Sequence, residues 1–310
     1  MSVRVTATHG SFDHSHPPVA EVEPGELVVF DCPGVGLDRD ATVDDLEALE
    51  LDVDSPHTIV GPVAIEGTQA GDALVVEVLG VNVTADYGHC VILPGHGLLP
   101  DDFPDPLLRC FPFRNGFAEL GERIRIPIQP FCGIMGVAPR APGKHSTIPP
   151  RRTGGNLDIR HLGTGSVLRL PIEVDRALFS CGDGHAAQGD GEVCTAAIET
   201  AVEVTIRFDL LKEAAPRYPT FTIPGATDPP GAEAGHIGAA AVGIDLYTAA
   251  QEATRSLIDL LAEQEKLTRA DAYMLCSVAA DLRISQIVNA PNWTVSAYLP
   301  VAVFTAPRAP

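Results

Sequence analysis

The sequence predicts a mainly β fold, like a sandwich or a barrel, with an α+β portion at its C-terminal end. The chain has 310 residues, including 29 Gly and 27 Pro, and such frequent turn residues favour many short elements over long helices. Apolar and polar residues alternate through the first two thirds, whereas helical spacing is confined to the last third. We therefore expect a β-rich domain over residues 1–215 and an α+β portion over residues 216–310, packed together as one unit.

Six runs in the β-rich part have the composition and alternation of strands. They cover residues 26–30, 73–83, 123–128, 167–174, 177–180 and 193–211. The last run carries the clearest signal, because Val202, Val204, Ile206 and Phe208 alternate with polar residues. The run at 123–128 contains Pro127, which cannot donate to a strand ladder and therefore predicts an edge position.

Two helices are predicted near the C-terminus. Residues 245–264 have apolar side chains at helical spacing. Thr268 begins a second helix, and Asp271 three residues later completes a weakened capping box. A stretch rich in Pro and Gly over residues 218–235 separates the two parts, either as a linker or as a loop near a site.

The composition excludes several classes of partner. A formal net charge of −20 repels phosphate, so we expect neither nucleic acid nor a membrane surface as a partner. The sequence has no signal peptide and no apolar run near ~18 residues, which predicts a cytoplasmic protein. The seven Cys have an odd count and no C-x-x-C spacing, so we expect buried reduced thiols rather than disulfides or a zinc knuckle.

The segment G-D-G-H-A-A-Q-G-D-G-E at residues 182–192 carries the chemistry. Its Gly-Asp-Gly run is typical of a hairpin turn, since Gly and Asp tolerate positive φ. With that turn at residues 189–190, Asp183, His185 and Glu192 would project together on one face. One imidazole and two carboxylates form a mixed nitrogen and oxygen ligand set that suits zinc or a similar divalent ion. The alternative is a polar hairpin with a solvated histidine.

Three residues elsewhere are candidates that each have a simpler explanation. His57 precedes a Gly-Pro turn, and it is either a core or surface histidine or a metal ligand. Asn156 and Asp158 follow a Gly pair, where they either make Asx turns or contact the amide group of a substrate.

Several blocks occur in a fixed order along the chain. They are G-P-V-A-I-E-G from Gly61, A-G-D from Ala70, G-G-N-L-D-I-R from Gly154, G-D-G-H-A-A-Q-G-D-G-E-V-C from Gly182 with the later Glu199, and D-L-R-I-S-Q-I-V from Asp281. In these blocks the sequence resembles the acetamidase/formamidase family, over nearly the whole chain. The resemblance implies a β-rich, metal-dependent homo-oligomer that hydrolyses short amides such as formamide or acetamide to ammonia and a carboxylate.

The resemblance also implies roles for residues in the matching blocks. Asp183 and His185, together with His57, would hold a divalent metal, with zinc as the first choice and calcium or manganese as alternatives. Glu192 would act as the general base, and Asp190 would be either the third ligand or the base in its place.

Three other residues match the motif as substrate-binding groups, namely Asn156, Asp158 and Gln188. Asn156 or Gln188 would donate a hydrogen bond to the developing oxyanion. Thr195 departs from the family pattern, in which Gly commonly follows the Cys at position 194, and it places a β-branched side chain beside the site.

Two other functions stay open at this stage. A thiol nucleophile, Cys132 or Cys181, would make the chain a cysteine-dependent amidase. A hairpin that holds an ion without turnover would make it a metal-binding or amide-binding protein.

Overall fold

Strands dominate the computed structural model, which describes residues 2–49, 56–121, 124–225 and 235–304. In chain order the strands are β1 (Ser2–Val5), β2 (Thr8–His9), β3 (Ala20–Val22), β4 (Leu27–Cys32), β5 (Ile59–Ile65), β6 (Ala73–Val83), β7 (Tyr87–Ile92), β8 (Leu107–Arg114), β9 (Phe117–Leu120), β10 (Ile124–Pro127), β11 (Phe131–Val137), β12 (Gly154–Asn156), β13 (Val167–Pro171), β14 (Phe179–His185), β15 (Val202–Leu211), β16 (Thr220–Ile223), β17 (His236–Gly243), β18 (Asp281–Gln286) and β19 (Trp293–Pro300). The helices are α1 (Val43–Glu47), α2 (Leu246–Gln264), α3 (Arg269–Ala279) and a 3₁₀ turn at Val301–Val303. The prediction of a mainly β fold with helices near the C-terminus is confirmed.

The strands form three open sheets, and none closes into a barrel within the described residues. One sheet has nine strands in the order β1-β4-β15-β6-β13-β16-β17-β19-β18. A second has the order β12-β11-β14-β5-β2, with β3 beside β5, and a third has the order β10-β9-β8-β7. The nine-stranded sheet contains strands from both predicted portions, since β13 pairs antiparallel with β16.

The main hydrophobic core lies between the nine-stranded sheet and the β14 sheet. Phe30 of β4 and Phe208 of β15 meet Phe179 of β14, with ring centroids 5.7 and 5.0 Å apart. All three side chains are fully buried, and edge-on aromatic packing of this kind adds to the gain from burial. The two sheets therefore pack face to face as a sandwich.

Helices α2 and α3 cover the part of the nine-stranded sheet that contains β17 and β19. Asp245 caps α2 by accepting a hydrogen bond from the backbone N–H of Thr248, and Thr268 caps α3 in the same way from Asp271. The predicted starts of both helices are confirmed. The apolar face of α2 packs against β17 and β19 and forms a second core with them. Within the described residues no helix is long and apolar enough to cross a membrane.

Several predicted segments differ in extent from the structure. The run at 167–174 ends at Pro171 of β13, and the run at 177–180 becomes β14, which extends to His185. The run at 123–128 forms β10, an edge strand as its proline predicts. The stretch at 218–235 contains β16, while residues 226–234 lie outside the described chain. The long run at 193–211 becomes a strand only from Val202 onward, and the preceding residues form a loop that builds the candidate site.

Candidate active site

Strand β14 carries Asp183 and His185 into the interior of the protein. It pairs antiparallel with β11 on one side and with β5 on the other as far as Gly182, beyond which Gly184 accepts a hydrogen bond from the N–H of Thr200. Asp183 has a φ of 59°, in the left-handed region that few residues other than Gly adopt. This conformation turns the end of the strand toward the loop at residues 186–201.

The predicted two-residue hairpin turn at residues 189–190 is wrong. β15 belongs to the nine-stranded sheet, and the residue that pairs with Ala187 is Ile198 rather than Glu192. The intervening loop instead folds back over the end of β14, where Glu199 forms an isolated bridge with His185. Gly191 in the same loop pairs with Gln286 of β18, which fixes the backbone of Glu192.

His185 lies at the centre of the candidate site. Its Nε2 is 3.3 Å from Oδ2 of Asp183 and 3.2 Å from Oε2 of Glu199. Its Nδ1 is 3.0 Å from Oε1 of Gln188, whose own Nε2 donates to the carbonyl oxygen of Asp158. Because that amide is oriented with its oxygen toward the ring, Nδ1 carries the hydrogen. Nε2 is therefore the ring nitrogen that faces the two carboxylates, and it makes no hydrogen bond to the described residues.

A second pair of carboxylates, from Asp158 and Glu192, approaches His185. One ligand atom from each of these three residues lies within 4.8 Å of the other two, and the same holds for Asp183, His185 and Glu199. Oδ2 of Asp158 accepts a 2.5 Å hydrogen bond from Asn289, whereas its Oδ1 is buried without a hydrogen-bond partner in the described part of the chain.

Gly133 of β11 borders the space between these groups. A Cβ at this position would collide with Oδ1 of Asp158, Oδ2 of Asp183 and Cε1 of His185. Because Gly133 has no side chain, a small buried space stays open between it and the carboxylate oxygens of Asp158 and Asp183.

Burial and mutual repulsion perturb the second carboxylate pair. Burial, with the charge of Asp183 adding to it, raises the pKa of Asp158 to about 8. Burial and the neighbouring Asp158 raise the pKa of Glu192 well above its usual range. These two groups therefore favour the protonated form in the absence of a nearby cation.

The groups around Nε2 of His185 show the opposite tendency. Burial alone would raise the pKa of Asp183, but His185 and His57 hold that pKa below its usual range. Burial alone would lower the pKa of His185, but the carboxylates of Glu199 and Asp183 hold it well above its usual range. The arrangement thus attracts a positive charge, which is either a proton on His185 or a metal ion.

Three other predicted site residues, His57, Asn156 and Asp190, differ in how they relate to this cluster. Nε2 of His57 is 4.0 Å from Oδ1 of Asp183, and its side chain is 27% exposed. Asn156, on β12, is buried, and its Oδ1 has no hydrogen-bond partner among the described residues. Asp190 points elsewhere, because its carboxylate accepts a 3.1 Å hydrogen bond from Nε of Arg160.

A cavity of about 540 Å³ borders the cluster at Gln188 and Glu192. Asp190 and Arg160 also line it. Much of the remaining wall is apolar, formed by residues such as Phe111, Ile126, Ala187 and Ile198. A small ligand that enters this cavity reaches Glu192.

Some residues of the site carried little signal in the sequence. Glu199 is adjacent to His185 only because the loop returns over β14, and local spacing does not encode that return. Asn289 lies far along the chain from Asp158, its hydrogen-bond partner. Gly133 did carry a usable signal, since a Gly within an apolar strand often marks a close approach.

The two alternative nucleophiles, Cys132 and Cys181, are buried in the main core together with Cys32. Burial raises the pKa of Cys181 well above its usual range, so its thiol stays protonated. Neither sulfur lines the cavity.

Comparison with known sequences decides the family. The sequence profile of the Acetamidase/Formamidase family matches residues 3–144 and 140–306. The chain belongs to the acetamidase/formamidase family. Among solved structures, an acetamidase from Bacillus halodurans superimposes with a TM-score of 0.85 at 30% identity, covering 97% of this chain and 98% of that one.

Curated members of the acetamidase/formamidase family match at lower identity. A formamidase from Methylophilus methylotrophus is 24% identical over 366 aligned residues, which cover 96% of this chain and 89% of the relative. An acetamidase from Mycolicibacterium smegmatis is 26% identical over 294 residues, covering 71% of each protein. The match to the family thus extends over both the β-rich and the helical parts of the chain.

Proposed function

We propose that the protein hydrolyses short aliphatic amides such as formamide or acetamide, with a divalent metal held beside His185. As a family member it is a hydrolase of carbon–nitrogen bonds in linear amides, and the metal is the new element of the proposal. The supporting observation is Nε2 of His185, which faces Asp183 and Glu199 without a hydrogen bond. A cation between these three groups would remove the repulsion between them.

The residues present fit such an ion. Asp183, His185 and Glu199 would hold it, with His57 close enough to Asp183 to join them. Gln188 would hold the ring of His185 in the orientation that presents Nε2, as partners of ligating histidines commonly do. One imidazole with several carboxylates suits zinc first, and manganese or calcium as alternatives. When bound, a divalent ion supplies Lewis-acid polarisation of the amide carbonyl and makes water more acidic.

Glu192 remains our candidate for the general base. It lines the cavity, and Asp158 beside it shares its buried environment. The positive charge that the site attracts would favour ionised Glu192, which could then take the proton from attacking water and pass it to the leaving nitrogen. The unpaired Oδ1 of Asn156 could accept a hydrogen bond from the amide nitrogen of the substrate. Both polar ends of Gln188 are already engaged, so we assign it to positioning His185 rather than to substrate contact.

Ammonia release from formamide and acetamide tests this assignment. We expect Glu192→Gln to lower kcat by roughly 10²–10⁴ while KM changes little, because proton transfer is lost but the cavity keeps its shape. Asp190→Asn is the matched control, and its rate should stay within a few-fold of wild type. A wild-type rate for Glu192→Gln would remove Glu192 from the mechanism, and a larger loss for Asp190→Asn would make Asp190 the base.

The expectations of a cytoplasmic location and a homo-oligomeric state stay part of this proposal. Cell fractionation and analytical ultracentrifugation of the purified protein check them.

A further inference from the structure

Two cysteines meet in the wall of the cavity that leads to Glu192. Cys90 lies on β7 and Cys194 lies in the loop after β14, and both line the cavity. Their sulfur atoms are 3.5 Å apart, which is van der Waals contact, and both thiols are free. We propose that Cys90 and Cys194 form a modification site, at which a peroxide oxidises the two thiols to a reversible disulfide.

The pair is prepared for this reaction by its hydrogen bonds. The hydrogen bond with Cys90 lowers the pKa of Cys194 to about 6. The same interaction raises the pKa of Cys90, so Cys194 is the partner that loses its proton more readily. A thiolate that solvent can reach is the form that reacts with peroxide.

The reaction balances without any further reagent. The thiolate of Cys194 attacks a peroxide oxygen and breaks the O–O bond, which yields a sulfenic acid on Cys194 and one hydroxide. The sulfur of Cys90 then attacks the Cys194 sulfur, the S–S bond forms, and the hydroxyl group leaves as water with the proton of Cys90. The two sulfurs together lose two electrons, and the peroxide gains them.

The other cysteines are placed less favourably for oxidation. Cys32, Cys132 and Cys181 also approach one another, but all three are buried in the main core, away from the cavity. Cys276 of α3 is buried in the second core. Cys110 pairs with His89 across β7 and β8, so its side chain points to the opposite face of that sheet from Cys90. Peroxide should therefore act on the cavity pair first.

A disulfide here would alter the cavity. Sulfur atoms 3.5 Å apart must close to about 2.05 Å, and the loop that carries Cys194 must absorb this shift. Glu192, two residues before Cys194, has a φ of 48°, and Thr195, directly after Cys194, has a φ of 85°. Both values are left-handed, which is costly for a β-branched residue such as Thr195. A shift of the loop would therefore move Glu192, so we expect the oxidised protein to be less active, and this consequence alone rests on the proposed function.

The experiment treats the reduced full-length protein with hydrogen peroxide, blocks the remaining thiols and maps the peptides without reduction. We expect a cross-linked peptide that joins Cys90 and Cys194, in wild type and in the control variant Cys110→Ser. Cys90→Ser should instead give a sulfenic acid on Cys194 that dimedone traps, and Cys194→Ser should give neither product. Oxidised wild type should lose amide turnover about tenfold or more and regain it with dithiothreitol, whereas Cys194→Ser should keep its rate after peroxide.

Each outcome decides a separate part of the proposal. If both thiols remain open to alkylation after peroxide, or if the bridge joins Cys32 to Cys181, the modification site is overturned. If the bridge forms without any change in turnover, its effect on activity is overturned and the site stands. If the reduced protein releases no ammonia at all, the proposed function has failed, while the peptide map still decides the disulfide.

Discussion

Two of the places where the described residues bury a carboxylate differ in their surroundings. Asp72, next to the start of β6, has both oxygens satisfied by the chain itself: Oδ1 accepts from the N–H of Glu213, and Oδ2 accepts from the N–H of Gln69 and from Nζ of Lys212. At the other place, Oδ1 of Asp158 and Nε2 of His185 are buried with no hydrogen-bond partner among the described residues. Both places fall within sequence blocks that resemble the same family.

The difference separates a structural carboxylate from a functional one. A buried charge is tolerated only when hydrogen bonds or an opposite charge compensate it. The chain supplies that compensation for Asp72, so its role ends with the fold. Around His185 the chain supplies carboxylates in excess and leaves Gly133 without a side chain, so we propose that a metal ion, rather than a proton on His185, supplies the compensation.

The largest effect is expected where the shared space is filled. Gly133→Ala would place a methyl group against Oδ1 of Asp158 and Oδ2 of Asp183. We expect metal affinity to fall by more than ~10-fold and kcat/KM by on the order of 10²-fold, because the ligands are pushed apart. Isothermal titration with zinc and an ammonia assay measure the two effects.

Gly80→Ala is the matched control for that variant, since a Cβ there meets no atom within 4 Å. It should bind metal and turn over amides like wild type. Normal metal binding by Gly133→Ala, with a circular dichroism spectrum like that of wild type, would refute the role assigned to the space beside Gly133.

An effect on stability is expected at the other buried carboxylate. Asp72→Asn turns an amide NH₂ toward donors and leaves at least one of them unpaired, so the free energy of unfolding should fall by about 1–3 kcal/mol. Turnover per folded molecule should not change. Asp31→Asn, at a partly exposed carboxylate paired with Arg4, is the control and should cost less than ~1 kcal/mol. Loss of turnover in folded Asp72→Asn would contradict the purely structural role assigned to Asp72.

The smallest expected effect is on the pH dependence of the difference in unfolding free energy between wild type and Asp72→Asn. Burial opposes ionisation of Asp72, but the N–H of Glu213 and the ammonium of Lys212 outweigh it and lower the pKa of Asp72. A lowered folded-state pKa gives stability that is fully present above the unfolded-state pKa of ~4 and is lost as the pH falls through the folded-state value. Urea titrations of wild type and Asp72→Asn should therefore differ at neutral pH and converge below pH ~4. A constant difference down to the lowest pH would contradict this assignment.

The sequence predicted local features well because each depends on a few adjacent residues. Alternation and the preceding A-G-D turn placed β6 at its observed bounds, and the capping residues Asp245 and Thr268 fixed the starts of α2 and α3. The hairpin was mispredicted because the Gly-Asp-Gly run suggested a two-residue turn, whereas the chain returns to β14 only at residues 198–200. The contact between Glu199 and His185 was not predicted for the same reason, because it requires the loop to fold back over β14.

Thr195 is a residue that the sequence singled out but whose surroundings only the structure shows. The family resemblance implies Gly at this position, and the φ of 85° at Thr195 is a conformation that Gly adopts without strain. Only the structure shows that this strained residue adjoins Cys194, whose sulfur contacts Cys90.

The metal content of the purified protein tests the central claim most directly. Elemental analysis should find about one divalent ion per chain in wild type and far less in Asp183→Asn, since the ion depends on the carboxylates around His185. Removal of the ion by a chelator should abolish ammonia release from formamide and acetamide, and zinc, manganese or calcium should restore it. A wild-type protein that is free of metal and fully active would contradict the claim, and it would mean that a proton on His185 supplies the missing charge.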